Sequence, residues 1–396
     1  MKTKLKVLLP AVIALFALSA GYCDRDEDRY YVDRDKCDTE ETQSIDDQGY
    51  DQGHAATEQH MLGAYNTPAR IDVKGAWDFM VRASFIYWQA LTHDTYFGQY
   101  NNINNQIPAN IPVPRHNFFA DFDYDYHPGF KVGLGINSGH DNWNCYFDYT
   151  RFYMDEKGSA RTTDDGVRLF SSWGGSEGVG LDINNEIPYA KWKLMMNVVD
   201  WSLGRPYYVG TNLTFRSFIG TKSFWNYERF YTNFHDANRV HYVAKNNTWG
   251  LGARGGLETN WIFGAGFRLF GNAAFSLNYQ HNNIRRYKFS AVGDPAQVGE
   301  NWVNYKDSRN AVVPVAEMAL GLAWGTYFDD CSWHIDLSAG YEFQVWWDQN
   351  NLMAYSEADN FLAAVGPTLV FYPTGSPYNP TKLMLHGLTV QLKLDF

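Results

Sequence analysis

The chain has 396 residues, a formal net charge of −11 and a mean hydropathy of −0.41. Aromatic residues make up 17% of it, and charged residues make up 19%, which is below the roughly 25% usual in soluble domains. No stretch beyond residue 20 approaches the about 20 consecutive apolar residues of a membrane-spanning helix. The many large apolar side chains exclude a disordered chain. A β-rich soluble protein or a membrane β-barrel remains.

The first residues indicate export from the cytoplasm. Three lysines precede a short apolar run at residues 7–18, and small residues follow it. This order is typical of a secretory signal peptide, which we expect to occupy residues 1–22. Residues 23–74 lack periodicity and carry much of the acidic excess, with thirteen acidic and four basic residues between positions 24 and 60. We expect a flexible periplasmic segment there, with a plug or a partner-binding arm as the alternative.

From residue 75 onwards, apolar and polar residues alternate, as they do in a strand with one apolar face. The segment 387–396 alternates without error. In the segment 332–348, Trp333 and Trp347 lie at the two ends of the apolar face, where a membrane-spanning strand meets the two interfaces. Ten such segments are present: 76–90, 129–137, 142–154, 189–203, 207–228, 246–262, 264–282, 311–328, 332–348 and 387–396.

The connections between these segments alternate in length. Short ones are expected near 139–142, 204–206, 263–264 and 328–331, and long ones at about 92–128, 155–188, 229–245, 289–310 and 351–382. Outer-membrane barrels have short periplasmic turns and long outer loops. The pattern therefore predicts an all-β chain whose residues 75–396 form a transmembrane antiparallel β-barrel of ten strands. We expect it in the outer membrane of a Gram-negative bacterium, with both termini in the periplasm. Two further segments, 117–126 and 361–371, would raise the strand count to twelve.

Most charged residues within the ten segments lie on their polar faces. An Arg or Lys that faces lipid at the midplane costs about 2–4 kcal/mol, so these side chains are expected inside the barrel. The candidate pore-lining residues are Arg82, Lys131, Asp148, Lys193, Arg216, Lys222, Arg254, Glu258, Arg268, Glu317, Asp336, Glu342 and Lys393. They predict a water-filled porin for passive diffusion of small hydrophilic solutes and ions. The alternatives are a closed barrel whose charges pair across a filled interior, and a surface-exposed structural barrel or adhesin acting through its outer loops.

Motifs associated with catalysis occur in unsuitable contexts. The GxGxxG match at 250–255 lies inside one alternating strand, whereas a dinucleotide site needs a strand before it and a helix after it. The aspartates at 121–125 lack the glycine and glutamate of a calcium loop, and the histidines show no zinc spacing. We predict no enzyme, no catalytic residue, no cofactor and no metal site. The acidic balance also predicts no nucleic-acid binding.

Six blocks of the sequence are distinctive when taken together. They are ASFIYWQA at 83–90, GFKVGLG at 129–135, WKLMMNVVDWSLGRPYY at 192–208, FRLFGNAAFSLNY at 267–279, HIDLSAGYEFQVWWDQ at 334–349 and LHGLTVQLKLDF at 385–396. Together they resemble the major-outer-membrane-protein-like, pore-forming family of Legionella and Chlamydia-related bacteria. The resemblance covers most of 75–350 and the last strand, and it leaves the acidic leading segment uncovered. It implies a pore-forming outer-membrane β-barrel without catalytic residues, and so favours a pore over a filled barrel.

The end of the chain and the cysteines complete the expectations. Phe396 ends an alternating strand and resembles the signal read by the barrel assembly machinery, which makes it a candidate assembly signal. Cys37 and Cys331 are both expected in the periplasm and form a candidate disulfide, within one chain or between neighbouring chains. The expected partners are outer-membrane lipid, the assembly machinery and small hydrophilic solutes, and the sequence leaves a homo-oligomer open.

Overall fold

The computed structural model describes residues 69, 71, 73, 78–92, 95–102, 118–138, 142–159, 167–171, 189–235, 238–292, 303–329, 332–350, 352, 363–365, 368–370 and 381–396. Among these residues, no helix has the length and apolar character needed to cross a membrane. The strands are β1 Asp78–Thr92, β2 Gly98–Asn102, β3 Phe118–Ala120, β4 Tyr126–Asn137, β5 Asn144–Ser159, β6 Val167–Ser171, β7 Tyr189–Tyr208, β8 Leu213–His235, β9 Asn238–Gly264, β10 Phe267–Val292, β11 Val303–Phe328, β12 Trp333–Asn350, β13 Ala363–Val365, β14 Thr368–Val370 and β15 Thr381–Asp395.

Ten of these strands close into one antiparallel barrel, in the order β1-β15-β12-β11-β10-β9-β8-β7-β5-β4, with β4 returning to β1. The prediction of an all-β, ten-stranded barrel is therefore confirmed. The twelve-strand alternative is wrong, because the two extra segments lie outside the barrel. β3 pairs within a three-stranded sheet with β2 and β6, and β13 pairs with β14 in a separate hairpin.

The outer face of the barrel is apolar and has aromatic side chains near both ends. Around the middle, aliphatic side chains such as Leu134, Ile219 and Leu320 are 60% or more exposed. The end at which β1 begins and β15 ends carries the short turns, and we call it the short-turn end; the other is the long-connection end. Exposed aromatic residues towards the short-turn end include Phe79, Trp261, Phe263, Phe267, Phe328, Trp333 and Phe396. Those towards the opposite end include Tyr87, Tyr126, Trp225, Tyr227, Trp249, Tyr279, Tyr341 and Trp347. Two aromatic girdles around an apolar band are the surface that a membrane barrel presents to lipid.

The short-turn end differs from prediction in one turn. The expected turn at 204–206 is wrong, because β7 continues to Tyr208 and the turn comes at 209–212. The last part of β7 contains Pro206. It lies beyond the region that pairs with β5, because the first residue of β5, Asn144, pairs with Gly204. The Pro206 carbonyl accepts a hydrogen bond from the Ala69 amide at 3.2 Å, so this side of the strand has no β5 ladder. The missing proline N–H therefore costs no sheet hydrogen bond.

The opposite, long-connection end also departs from the expected pattern. The long loop expected at 229–245 is wrong, since only residues 236 and 237 separate β8 from β9. Strands β8 to β11 are 23 to 27 residues long, whereas about 9–11 residues span a bilayer. These four strands therefore extend well beyond the apolar band. Outside lipid, a strand no longer needs one apolar face, and the sequence pattern that marks strands is lost.

The expected signal peptide at 1–22 and nearly all of the acidic segment at 23–74 lie outside the described residues. The same holds for Cys37 and Cys331, so their predicted disulfide stays a prediction.

Candidate pore lining

Gly133 on the inner face of β4 makes room for large charged side chains of the two neighbouring strands. A Cβ atom added at Gly133 would lie 2.7 Å from Arg82 Nε and would also collide with the Asp148 carboxylate. Because that space is free, the Arg82 guanidinium forms a two-point ion pair with Asp148 across β4. The Arg82 Cζ atom also lies 5.0 Å from the ring centroid of Tyr146. The pair places one charge of each sign on the lumen wall.

Four charged groups form a network at the centre of the barrel. Lys222 Nζ lies 2.5 Å from Glu317 Oε1 and 2.8 Å from Asp200 Oδ1. Arg254 Nη2 lies 2.7 Å from Glu317 Oε2. Glu317 therefore bridges two cations, and the Lys222 side chain is only 2% exposed. The network links β7, β8, β9 and β11 through their side chains.

Another ion pair joins strands that are not neighbours in the sheet. Lys131 Nζ on β4 lies 2.6 Å from Glu342 Oε2 on β12, although β1 and β15 separate these two strands. The ammonium also lies 4.8 Å from the ring centroid of Trp88. The contact therefore passes through the interior across the inner faces of β1 and β15.

Further pairs fill the lumen towards the short-turn end. Arg216 is 5% exposed and contacts Glu258 at 3.0 Å and Asn144 at 2.7 Å. The remaining pairs there join Arg268 to Asp336, Lys393 to Asp395 and His334 to Asp395.

A cavity of about 150 Å³ lies among these groups. The predicted residues that line it are Arg82, Lys131, Asp148, Lys222, Arg254, Glu258, Glu317 and Glu342. Four more predicted residues lie inside the barrel between the cavity and the short-turn end, in the ion pairs just described: Arg216, Arg268, Asp336 and Lys393. The structure thus brings twelve of the thirteen predicted side chains into the interior, where they are paired. Asp200 also lines the cavity, although the sequence pattern does not predict it there.

Lys193 is the exception, because it lies on the outer face. Its neighbours in β7, Trp192 and Leu194, are fully buried inside the barrel. Lys193 instead lies 3.4 Å from Asp155, which also pairs with Lys191 at 2.9 Å. The placement of Lys193 in the pore lining is therefore wrong. At this end the interior is packed with apolar groups, so the rule that polar faces point inward no longer applies.

An apolar cluster packs the interior at the long-connection end, and the connection between β1 and β4 contributes to it. Phe122 packs edge-on against Phe97 and Phe230, at centroid distances of 5.6 and 5.9 Å. Tyr124 packs edge-on against Trp192 at 6.0 Å, and burial raises the pKa of its phenol well above the ordinary value. The sequence does not predict this insertion, because a loop that enters a barrel has no periodic pattern.

The inserted connection is fixed by a buried carboxylate. Glu156 Oε1 accepts a hydrogen bond from the Asp125 amide at 2.9 Å and lies 2.8 Å from His127 Nε2. Gln89 Nε2 donates to the Tyr124 carbonyl at 2.7 Å. The end of the connection that leads into β4 is thereby held to β1 and β5.

The C-terminal residue lies at the seam where the barrel closes. Backbone hydrogen bonds of 2.8 and 2.9 Å join Phe396 to Phe79 on β1. Its ring stacks on Trp333 at 5.3 Å and is 40% exposed. The role of Phe396 as an assembly signal stays a prediction.

Comparison with known proteins decides the family. The profile of the family described as Legionella pneumophila major outer membrane protein precursor matches residues 72–396. The chain belongs to this family. It is accordingly a β-barrel of the bacterial outer membrane, as the sequence blocks and the apolar outer face indicated. The match begins close to β1 and ends with the last residue of the chain.

Solved structures give much weaker likenesses. The outer membrane protease OmpT from Escherichia coli is 8% identical at a TM-score of 0.38, with 83% of this chain and 99% of that chain covered. A Pseudomonas aeruginosa FadL homologue is 7% identical at a TM-score of 0.24, with 84% and 93% covered. The P. putida toluene transporter TodX is 7% identical at 0.19, with 83% and 92% covered. These likenesses carry no function over to this chain. A search of curated proteins found no match.

Proposed function

We propose that the barrel is an outer-membrane pore through which ions and small hydrophilic solutes diffuse passively. The observation that supports it is the central cavity, which charged side chains from eight barrel strands line. Charged groups of this kind favour water over an apolar filling, and open outer-membrane channels have polar interiors. We place the short-turn end, where β1 begins and β15 ends, on the periplasmic side.

The pairing of the lining groups favours a narrow pore with weak ion preference. The predicted residues around the cavity comprise four cations and four anions, and Asp200 adds a fifth anion. Rings of one charge sign produce selectivity, and this lining has no such ring. A cavity of about 150 Å³ has room for several water molecules, which is little space for a diffusing solute. We therefore expect low conductance and nearly equal passage of K⁺ and Cl⁻.

A structural barrel, or an adhesin acting through its outer loops, is the second candidate. The apolar cluster inside the long-connection end favours it, because packed side chains there oppose flow of water. Planar bilayer recording separates the two candidates. Folded protein should give stepwise conductance in KCl, and heat-denatured protein should give none. Folded barrels that insert without any steps would contradict the pore and support the structural barrel.

A further inference from the structure

A row of basic side chains crosses the outer face of the barrel near its long-connection end. The row has one residue on each strand from β7 to β11, and the strand register aligns these residues. Its members are Lys193, Arg229, Lys245, Arg285 and Lys306, and each is the direct register partner of the next. We call this set the cationic row.

The members of the cationic row face away from the barrel interior. The residues next to them in the strands are buried inside, as Glu228, Ala244 and Ile284 show at 2% exposure or less. In contrast, the side chains of Arg229 and Arg285 are exposed. Alternation along a strand places successive side chains on opposite faces, so the cations point to the surroundings of the barrel.

The cationic row has little compensation within the protein. Like charges placed directly opposite in a sheet destabilise it. Lys193 shares Asp155 with Lys191. Across the part of the chain that the structure describes, Arg229, Arg285 and Lys306 have no acidic side chain within ion-pair distance. Lys245 has none there either, and its ammonium lies 5.4 Å from the ring centroid of Tyr287. Anions from outside the protein would relieve this repulsion.

The level of the cationic row matches that of lipid headgroups. Trp225 and Trp249 are register partners, are 42% and 46% exposed, and belong to the upper aromatic girdle. Arg229 follows four residues later in β8, which is about 13 Å along the strand and about 10 Å along the axis of a tilted barrel. Aromatic girdles lie at the membrane interface, and long basic side chains bend towards nearby headgroups.

We propose that the cationic row is a binding site for the phosphate groups of anionic membrane lipids, on the β7–β11 side of the barrel. Phosphate oxygens pair with Arg and Lys through charge-assisted hydrogen bonds. A lipid held in the membrane plane presents its phosphate at the level where these cations lie. The inference rests on the membrane placement of the barrel and is independent of whether the barrel conducts.

Lipid selectivity in reconstituted vesicles tests the proposal. The full chain is refolded into phosphatidylcholine vesicles, and the immobilised fraction of spin-labelled phosphatidic acid is compared with that of spin-labelled phosphatidylcholine. We expect the native barrel to prefer phosphatidic acid by at least about threefold at low salt, since each basic residue near an anionic surface contributes up to about fivefold. The triple variant Arg229→Gln, Lys245→Gln, Arg285→Gln should lose most of that preference.

Matched variants identify the row as the source of the preference. Lys382→Gln removes a cation that is exposed on β15, outside the strands of the row, and should leave the preference unchanged. The double variant Arg229→Lys, Arg285→Lys keeps the charges and should also keep it. If the triple variant does not refold, the single variant Lys245→Gln replaces it and should lower the preference. A native barrel without preference, or neutralised variants that keep it in full, would overturn the proposal.

Discussion

Glu317 offers a direct test of how much the interior charge network contributes to stability. Its two carboxylate oxygens lie 2.5 Å from Lys222 Nζ and 2.7 Å from Arg254 Nη2. Removing one partner of a buried ion pair costs about 3–5 kcal/mol, because the remaining charges stay buried without compensation. In the variant Glu317→Gln, Asp200 remains 2.8 Å from Lys222. We therefore expect a loss near the lower limit, about 3 kcal/mol of unfolding free energy.

Asp155 provides the matched control, since it also bridges two cations, Lys191 and Lys193, but on the outer face. Exposed pairs contribute about 0–1 kcal/mol, so Asp155→Asn should lose less than about 1 kcal/mol. Denaturant unfolding of the refolded barrel in detergent micelles measures both variants. Equal losses in the two variants, or a loss below about 1 kcal/mol for Glu317→Gln, would refute the view that the interior network is a buried, tightly coupled one.

Three further variants test other parts of the structure. Phe122→Ala removes a ring packed on Phe230 inside the long-connection end, and it should raise single-channel conductance; unchanged conductance would place the inserted connection outside the path. Phe396→Ala removes a half-exposed ring stacked on Trp333. It should lower the amount of folded barrel in cells while the purified protein keeps its unfolding free energy within about 1 kcal/mol, and normal amounts in cells would argue against an assembly signal. Ala265 adopts a φ of 50° in the two-residue turn between β9 and β10. Ala265→Gly should therefore stabilise the barrel by about 0.5–1 kcal/mol in denaturant unfolding, and a loss of stability would contradict this account of the turn.

The sequence predicts strands well wherever lipid contacts them. One face must then be apolar, so alternation marks segments such as 332–348 and 129–137 that the structure confirms as β12 and β4. Beyond the membrane this requirement ends. The hairpin of β8 and β9 continues to a connection of two residues, whereas the sequence predicts a long loop at 229–245. Hydrogen bonding between the paired strands extends the hairpin, and single-sequence patterns do not report it.

The interior residues are predictable for the same reason, but their pairing is not. Lipid excludes charges from the outer face of the band, so Arg82 and Glu342 are correctly assigned to the inside. The contact of Lys131 with Glu342 depends on the curvature of the closed barrel, which no local pattern encodes. In β7 the alternation predicts that Val198 faces lipid. Asp200 lies two residues later, on the same face of the strand, so the same pattern excludes it from the interior. The structure places both side chains inside, where they line the cavity.

The central claim is that the charged interior is the conduction path, and one pair of reversal potentials tests it most directly. Lys131 and Glu342 form an ion pair of 2.6 Å inside the barrel, and both side chains line the cavity. In planar bilayers with a KCl gradient, Lys131→Gln should shift the reversal potential towards cation preference, and Glu342→Gln should shift it towards anion preference. Opposite shifts of the two variants are the predicted result. Conductance that continues with both reversal potentials unchanged would contradict a path through this interior.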